Sequence, residues 1–171
     1  MRPEGIGAAN RELKRAIRAA KRVNYTGTLD DAEDAWVDFL THANRIYLKL
    51  RLACHGQPLD WSWWKKKMDE RRDDPLLCYI HHARNTDTHR LEDTVRRTPG
   101  SFVLTEPGCG EVNYSGPEHL LVLPVIDNGV VYQPPTEHLG EGLVYPDAWH
   151  VSFLARKYLQ ALVAEANSRL R

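Results

Sequence analysis

The 171-residue chain lacks most of the features that make a function obvious. It has only three cysteines, Cys54, Cys78 and Cys109, without CxxC or zinc-finger spacing. That odd number fits reduced thiols and excludes a disulfide framework. An excess of charge of one sign is also missing, since 23 Lys and Arg face 23 Asp and Glu. The molecule as a whole is therefore no polycation drawn to any phosphate backbone, and basic patches must be sought locally. No apolar run approaches the roughly 18 residues that a membrane helix needs. The opening MRPEGIGAANRELKR has no apolar core of a signal peptide. Internal repeats and low-complexity tracts are absent as well. These absences lead to the expectation of a soluble cytoplasmic protein with no membrane partner. A chain of this length buries roughly 70% of its unfolded surface and folds as one domain, residues 1–171, without metal or disulfide support.

What is present is mostly helical periodicity. Leu13, Ala16, Ile17, Ala20 and Val23 recur on one face, which predicts a first helix over about residues 10–23. Its other face is basic: residues 1–28 hold Arg2, Arg11, Lys14, Arg15, Arg18, Lys21 and Arg22 against two Glu. Such a face is either merely solvated or contacts phosphate, with Arg15 and Arg18 among the candidate phosphate contacts. Thr28 and Asp31 resemble a capping box, and Ala35, Trp36, Phe39, Ala43, Ile46, Tyr47 and Leu50 continue as the stripe of a long second helix, which Gly56 and Pro58 end. The run DWSWWKKKMDERRDD reads as a short connecting helix whose Trp residues pack, or stack on bases. Asp74 before Pro75 starts a third long helix, expected to reach about Arg97 before Pro99 and Gly100.

From 101 to 146 the texture becomes short β-prone runs separated by Gly and Pro, with Asp127, Asn128 and Gly129 as a hairpin turn. Helical periodicity returns over 147–170, with Trp149, Leu154, Tyr158, Ala161, Leu162 and Ala166 expected inward. The fold class is therefore mainly α: a four-to-five-helix bundle (about 10–97 and 147–170) with a small β hairpin or sheet insertion (about 101–146) before the last helix.

The unusual stretch is HHARNTDTH, residues 81–89, because a structural helix rarely places so many polar groups in its interior. At 100° per residue with His81 at zero, Leu76, Ile80, Ala83 and Leu91 fall at about 200 to 280°, a buried stripe. Arg84, Thr88, Asn85, His89 and His82 occupy the opposite arc, from about −60° to about 100°. Imidazole titrates near working pH, so His89 is the candidate acid or base. Guanidinium stays charged and grips phosphate in a forked geometry, which makes Arg84 the candidate charge stabiliser. Asn85, one turn before His89, is placed to orient the imidazole or a substrate.

Arg84-Asn85-Thr86-Asp87-Thr88-His89 resembles the RxxxxH motif of HEPN ribonucleases in its R(N/D/H)-x-x-x-H form. The resemblance extends to the helical arrangement over about 10–97 and 147–170, but not to the β insertion. It implies a bundle of about four long helices and a metal-independent RNA endonuclease, a toxin or phage-defence effector, working as a homodimer. RNA and an antitoxin or regulatory protein are the implied partners, and no cofactor or metal is implied. Arg84, His89 and Asn85 are the implied catalytic residues, with His82, Thr88, Arg15 and Arg18 as substrate contacts. The helix supplies an independent reason for a dimer. Arg84 and His89 lie about 140° apart around the axis, so a two-fold pair brings four groups to one cleft more readily than one copy brings two. Two positions after His89 stands Leu91, where HEPN toxins paired with a nucleotidyltransferase antitoxin commonly have Tyr.

Three other readings of these residues remain at this level. Arg84 and His89 also suit an inter-helix hydrogen-bond network in a non-catalytic HEPN-like module that binds nucleic acid or protein. His82 and His89, seven apart, could share a metal, but no carboxylate stands at EXXH spacing. Cys78 is either a small buried residue or a nucleophile without an assignable partner.

Overall fold

In the computed structural model the described residues are 1–25, 27–90, 93–98, 101–106, 110–115, 118–143 and 147–170; at 25, 87–90, 101–106 and 110–115 the backbone alone is described. Five helices are seen among them: α1 (Pro3–Tyr25), α2 (Leu29–Cys54), α3 (Pro58–Asp73), α4 (Pro75–Arg90) and α5 (Ala148–Ser168). Among the described residues eight short strands lie between α4 and α5, so the chain is mainly α with antiparallel strand pairs before its last helix. No described helix is long and apolar enough to cross a membrane.

The first helix begins at Pro3 rather than near Asn10. Glycines in GIGAAN argue locally against helix, but Gly5 is where α1 meets the end of α2. A Cβ there would lie 2.7 Å from the Cβ of Ala53, so only glycine permits the approach, and the Arg2 amide donates to Ala53 O across it. Alanines continue this close packing: Ala9, Ala16, Ala19 and Ala20 of α1 and Ala32, Ala35, Ala43 and Ala53 of α2 are all buried. Small side chains let two helices approach at the short end of the usual range. Thr28 caps α2 as its spacing predicts, accepting from the Asp31 amide at 3.1 Å. The helix runs on to Cys54 with Trp36, Phe39, Ile46 and Leu50 in the core.

The connecting helix α3 has 16 residues and buries Trp63, Trp64 and Arg71. Proline restricts the residue before it to extended backbone, and Asp74, at ψ 121°, separates α3 from α4. On α4 Leu76, Ile80 and Ala83 are buried as the wheel predicts, and Leu77, Tyr79 and Thr86 join them. Leu91 lies outside the described residues.

The expectation that this helix reaches Arg97 is wrong. Residues Val95–Thr98 form β1, paired antiparallel with β4 (His119–Val122). Thr94 is buried and accepts a hydrogen bond from the Trp36 indole at 2.9 Å, and the Tyr79 hydroxyl donates to Leu123 O at 2.7 Å. Leu120, Val122 and Val125 complete the core. These long-range ties fix the insertion on the bundle, and a local helical pattern cannot register them.

β2 (Ser101–Glu106) and β3 (Gly110–Ser115) continue along the same two segments as β1 and β4, since Thr98 faces His119 and Ser101 faces Ser115. β5 (Val125–Asp127) and β6 (Val130–Tyr132) are the hairpin announced by Asp-Asn-Gly. Asn128 at φ 51° and Gly129 at φ 80° give the left-handed turn that such hairpins favour. A last small hairpin joins β7 (Glu137–His138) to β8 (Glu141–Gly142). On α5, Leu162 and Ala166 are buried and Leu154 and Tyr158 half-buried, but Ala161 is exposed and Trp149 is 45% exposed. The inward expectation for those two positions therefore fails. The helix presents Ala155, Leu159 and Val163 to the core instead.

Candidate functional site

Along the described part of the polar arc of α4, the β5–β6 hairpin folds onto the helix, and His82, Arg84 and Asn85 are half-buried. Asp127, the last residue of β5, brings its carboxylate between two side chains of the arc. Its Oδ2 lies 2.7 Å from His82 Nδ1 and accepts from Asn85 Nδ2 at 2.8 Å. Arg84 Nη1 donates to Asn85 Oδ1 at 3.4 Å, so Arg84, Asn85, Asp127 and His82 form one chain. Thr86 donates to Ile126 O from a buried position and locks the hairpin to the helix. From β6, Tyr132 stacks on His82, with ring centroids 3.5 Å apart and planes within 10°. Burial pushes Asp127 upward, but hydrogen bonds from Asn85 and His82 outweigh it and hold the carboxyl below its ordinary value.

On the α3 side the same arc meets a buried cation. Arg71 is 6% exposed, and no carboxylate pairs with it among the described residues. Its guanidinium lies 4.0 Å from the centroid of the Tyr47 ring, and Nη2 donates to Asn44 Oδ1 and to His81 Nδ1, each at 3.0 Å. Its Nε is buried without a hydrogen-bond partner. Burial lowers the Arg71 pKa. Burial, together with the adjacent guanidinium, also pushes His81 down to about 4. A buried cation with no counter-anion is costly unless something anionic visits it.

The partners assign the ring protons. His81 accepts from Arg71 at Nδ1, so its neutral ring carries hydrogen on Nε2. His82 faces a carboxylate at Nδ1, so that nitrogen carries hydrogen and, in the neutral ring, Nε2 bears the lone pair. The two rings are 4.8 Å apart. One donor, His81 Nε2, and one acceptor, His82 Nε2, thus stand side by side near guanidinium groups, an arrangement suited to hydrogen-bonding an anion and a neighbouring hydroxyl.

Of the residues singled out from sequence, Arg84, Asn85 and His82 come together here. The side chains of His89 and Thr88 lie outside those described, although both residues belong to α4. Arg15 and Arg18 do not join the cluster, because α1 packs chiefly on α2 and α5. Arg15 is paired with Glu12 at 2.7 Å, while Arg18 is exposed. No group of three or more potential metal ligands occurs among the described residues. Cys78 is half-buried, and burial pushes its thiol pKa up, which does not suit a nucleophile.

The site residues that sequence reasoning passed over are Arg71, His81, Asp127 and Tyr132. Arg71 sits in the run that reads as a short connecting helix, and Asp127 belongs to the Asp-Asn-Gly turn. Only the unusual density of His81 beside His82 gave a local signal.

Comparison with protein-family models, curated proteins and solved structures gives no match.

Proposed function

We propose that the chain is a metal-independent RNA endonuclease of HEPN type, of the toxin or phage-defence class, acting as a homodimer through a composite Arg/His site. The observation that carries the reading is the buried Arg71, which meets no carboxylate among the described residues, beside the His81–His82 pair and Arg84. A phosphodiester provides an anion for Arg71 and Arg84, His82 Nε2 offers a lone pair that can take a proton, and His81, held neutral, donates a hydrogen bond rather than a proton. In the cleavage, a base takes the proton of the ribose 2′-hydroxyl and the oxygen attacks phosphorus. The bond to the 5′-oxygen breaks and an acid protonates the leaving oxygen, giving a 2′,3′-cyclic phosphate and a 5′-hydroxyl. Arg84 stabilises the charge gathering on phosphorus. His82, oriented by Asp127, is the base that the geometry favours, and His89 is the acid or base that the motif implies. Asn85 positions Arg84 relative to Asp127 rather than meeting substrate itself, because its amide is already committed.

A specific observation favours a second reading. Asn85, Asp127 and His82 satisfy one another, as they would in a structural corner of a non-catalytic module that binds nucleic acid or protein. Incubation of total RNA in EDTA with wild type and with folded Arg84→Ala, His82→Ala and His89→Ala variants of unchanged oligomeric size separates the two. Cleavage by wild type with cyclic-phosphate ends, and a loss of roughly 100-fold or more in each variant, is the expected result. Absence of cleavage by wild type at every salt concentration would leave the binding module as the reading.

A further inference from the structure

A second surface lies where the C-terminal half of α1 packs beside the N-terminal half of α5. Residues 13–25 contain five Lys or Arg and no acid, and residues 148–164 contain Arg156 and Lys157 and no acid. Two of these cations are used elsewhere, Arg15 by Glu12 and Arg22 by Asp38. Lys14, Arg18 and Lys21 form no ion pair among the described residues, and they recur at steps of four and three along an exposed edge. That row is about 10 Å long, too long to serve a single small anion.

Across the seam, Arg156 and Lys157 lie over the Phe153 ring, at 5.0 and 4.8 Å from its centroid, and neither meets a carboxylate among the described residues. Holding cations over an aromatic face keeps them in place while leaving their charge uncompensated. Between the two rows is an open recess of about 180 Å³, lined by Ala20, Lys21, Asn24, Trp149, Phe153 and Arg156. Trp149 is 45% exposed although every other tryptophan is buried or half-buried. A folded chain gains nothing by leaving an indole in water at the rim of a cationic recess.

We infer that the α1–α5 seam is a binding surface for single-stranded nucleic acid, with a base stacked on Trp149 at the recess and the backbone following the Lys14–Arg18–Lys21 row and the Arg156–Lys157 pair. Charge complementarity names a polyanion. The exposed indole beside a recess selects a strand whose bases are free to stack, since a duplex keeps its rings inside and would meet only the cations. The surface is built from other elements than the α4 cluster, and the inference stands apart from the endonuclease reading.

The test is anisotropy of a dye-labelled octauridylate with wild-type protein, Trp149→Ala and the double variant Lys21→Gln/Lys157→Gln. These exposed positions leave the core intact, which circular dichroism checks. Wild type is expected to bind with quenching of its tryptophan emission. Trp149→Ala weakens binding roughly 5- to 150-fold and removes most of the quenching. The double variant lowers the slope of log K against log salt by about 1.4. No binding at low salt, or variants that bind as wild type does, overturns the inference. So does tighter binding of duplex DNA, of a polyglutamate peptide or of anionic vesicles than of the single strand. An Arg84→Ala protein that fails to cut yet binds octauridylate normally would show the two sites to be separate.

Discussion

At His81 the fold imposes a charge state with a consequence for stability. The ring is half-buried and accepts from Arg71, and its pKa falls from 6.5 to about 4. Between those values the unfolded chain takes up a proton that the folded chain refuses. The stabilising contribution is therefore complete above pH 6.5, declines as pH falls, and is gone below about 4. Replacing His81 with Gln keeps an acceptor for Arg71 and removes the titration. The urea midpoint of wild type is expected to fall more steeply than that of His81→Gln between pH 6.5 and 4. Superimposable curves would show that the ring is not held neutral. The sequence placed His82, Asn85 and Arg84 on one polar arc, and that much was legible. It gave no sign that Asp127, more than forty residues away, closes the arc, because a carboxylate in a turn is equally at home in solvent.

Among the elements, α4 depends most visibly on one residue. Asp74 caps it, accepting from the Leu77 amide at 2.8 Å. The same carboxylate lies 3.1 Å from His138 Nδ1 and accepts from the Leu139 amide at 2.7 Å, which fixes the β7–β8 hairpin against the start of the helix. Burial raises its pKa, but the His138 and amide hydrogen bonds win and hold it low. Asp74→Ala loses a cap and leaves the buried His138 ring and the Leu139 amide without their acceptor, at a cost of about 2–4 kcal/mol. Asp74→Asn keeps the cap acceptor and is expected to fall between Ala and wild type. Urea denaturation gives the ranking, and faster hydrogen exchange at Leu139 in Asp74→Ala would locate the loss. Equal destabilisation by Asn and Ala would mean that the charge matters and the cap does not. Capping was readable from the Asp-Pro step, whereas the second use of the carboxylate was not, for His138 is 64 residues distant.

Over the whole molecule, two of the insertion's strand pairs have contrasting duties. The β5–β6 hairpin covers the α4 cluster, while the β2–β3 ladder pairs chiefly with itself. Thr98 and His119 are cross-strand partners, so their Cα atoms stand about 5 Å apart and a short turn can join them. Replacing residues 101–115 with a short Gly/Ser linker is expected to move the thermal midpoint by no more than roughly 4 °C, about 1 kcal/mol for a domain of this size. Calorimetry checks it. A much larger drop would make the ladder part of the bundle's cooperative unit.

Periodicity and capping by themselves determined the long helices, because an apolar stripe at 3.6-residue spacing has few other ways to be buried. The Asp-Asn-Gly turn likewise marked its hairpin, since few other residues accept positive φ. Tertiary structure decided where α1 begins, through the contact of Gly5 with Ala53, and where α4 gives way to β1, through the pairing with β4 and the bond from Trp36 to Thr94. It also decided that Arg71 is buried with no carboxylate partner among the described residues and that Trp149 faces water. Each of those outcomes depends on a partner distant in sequence, and burial and pairing are properties of the assembled fold rather than of any local stretch.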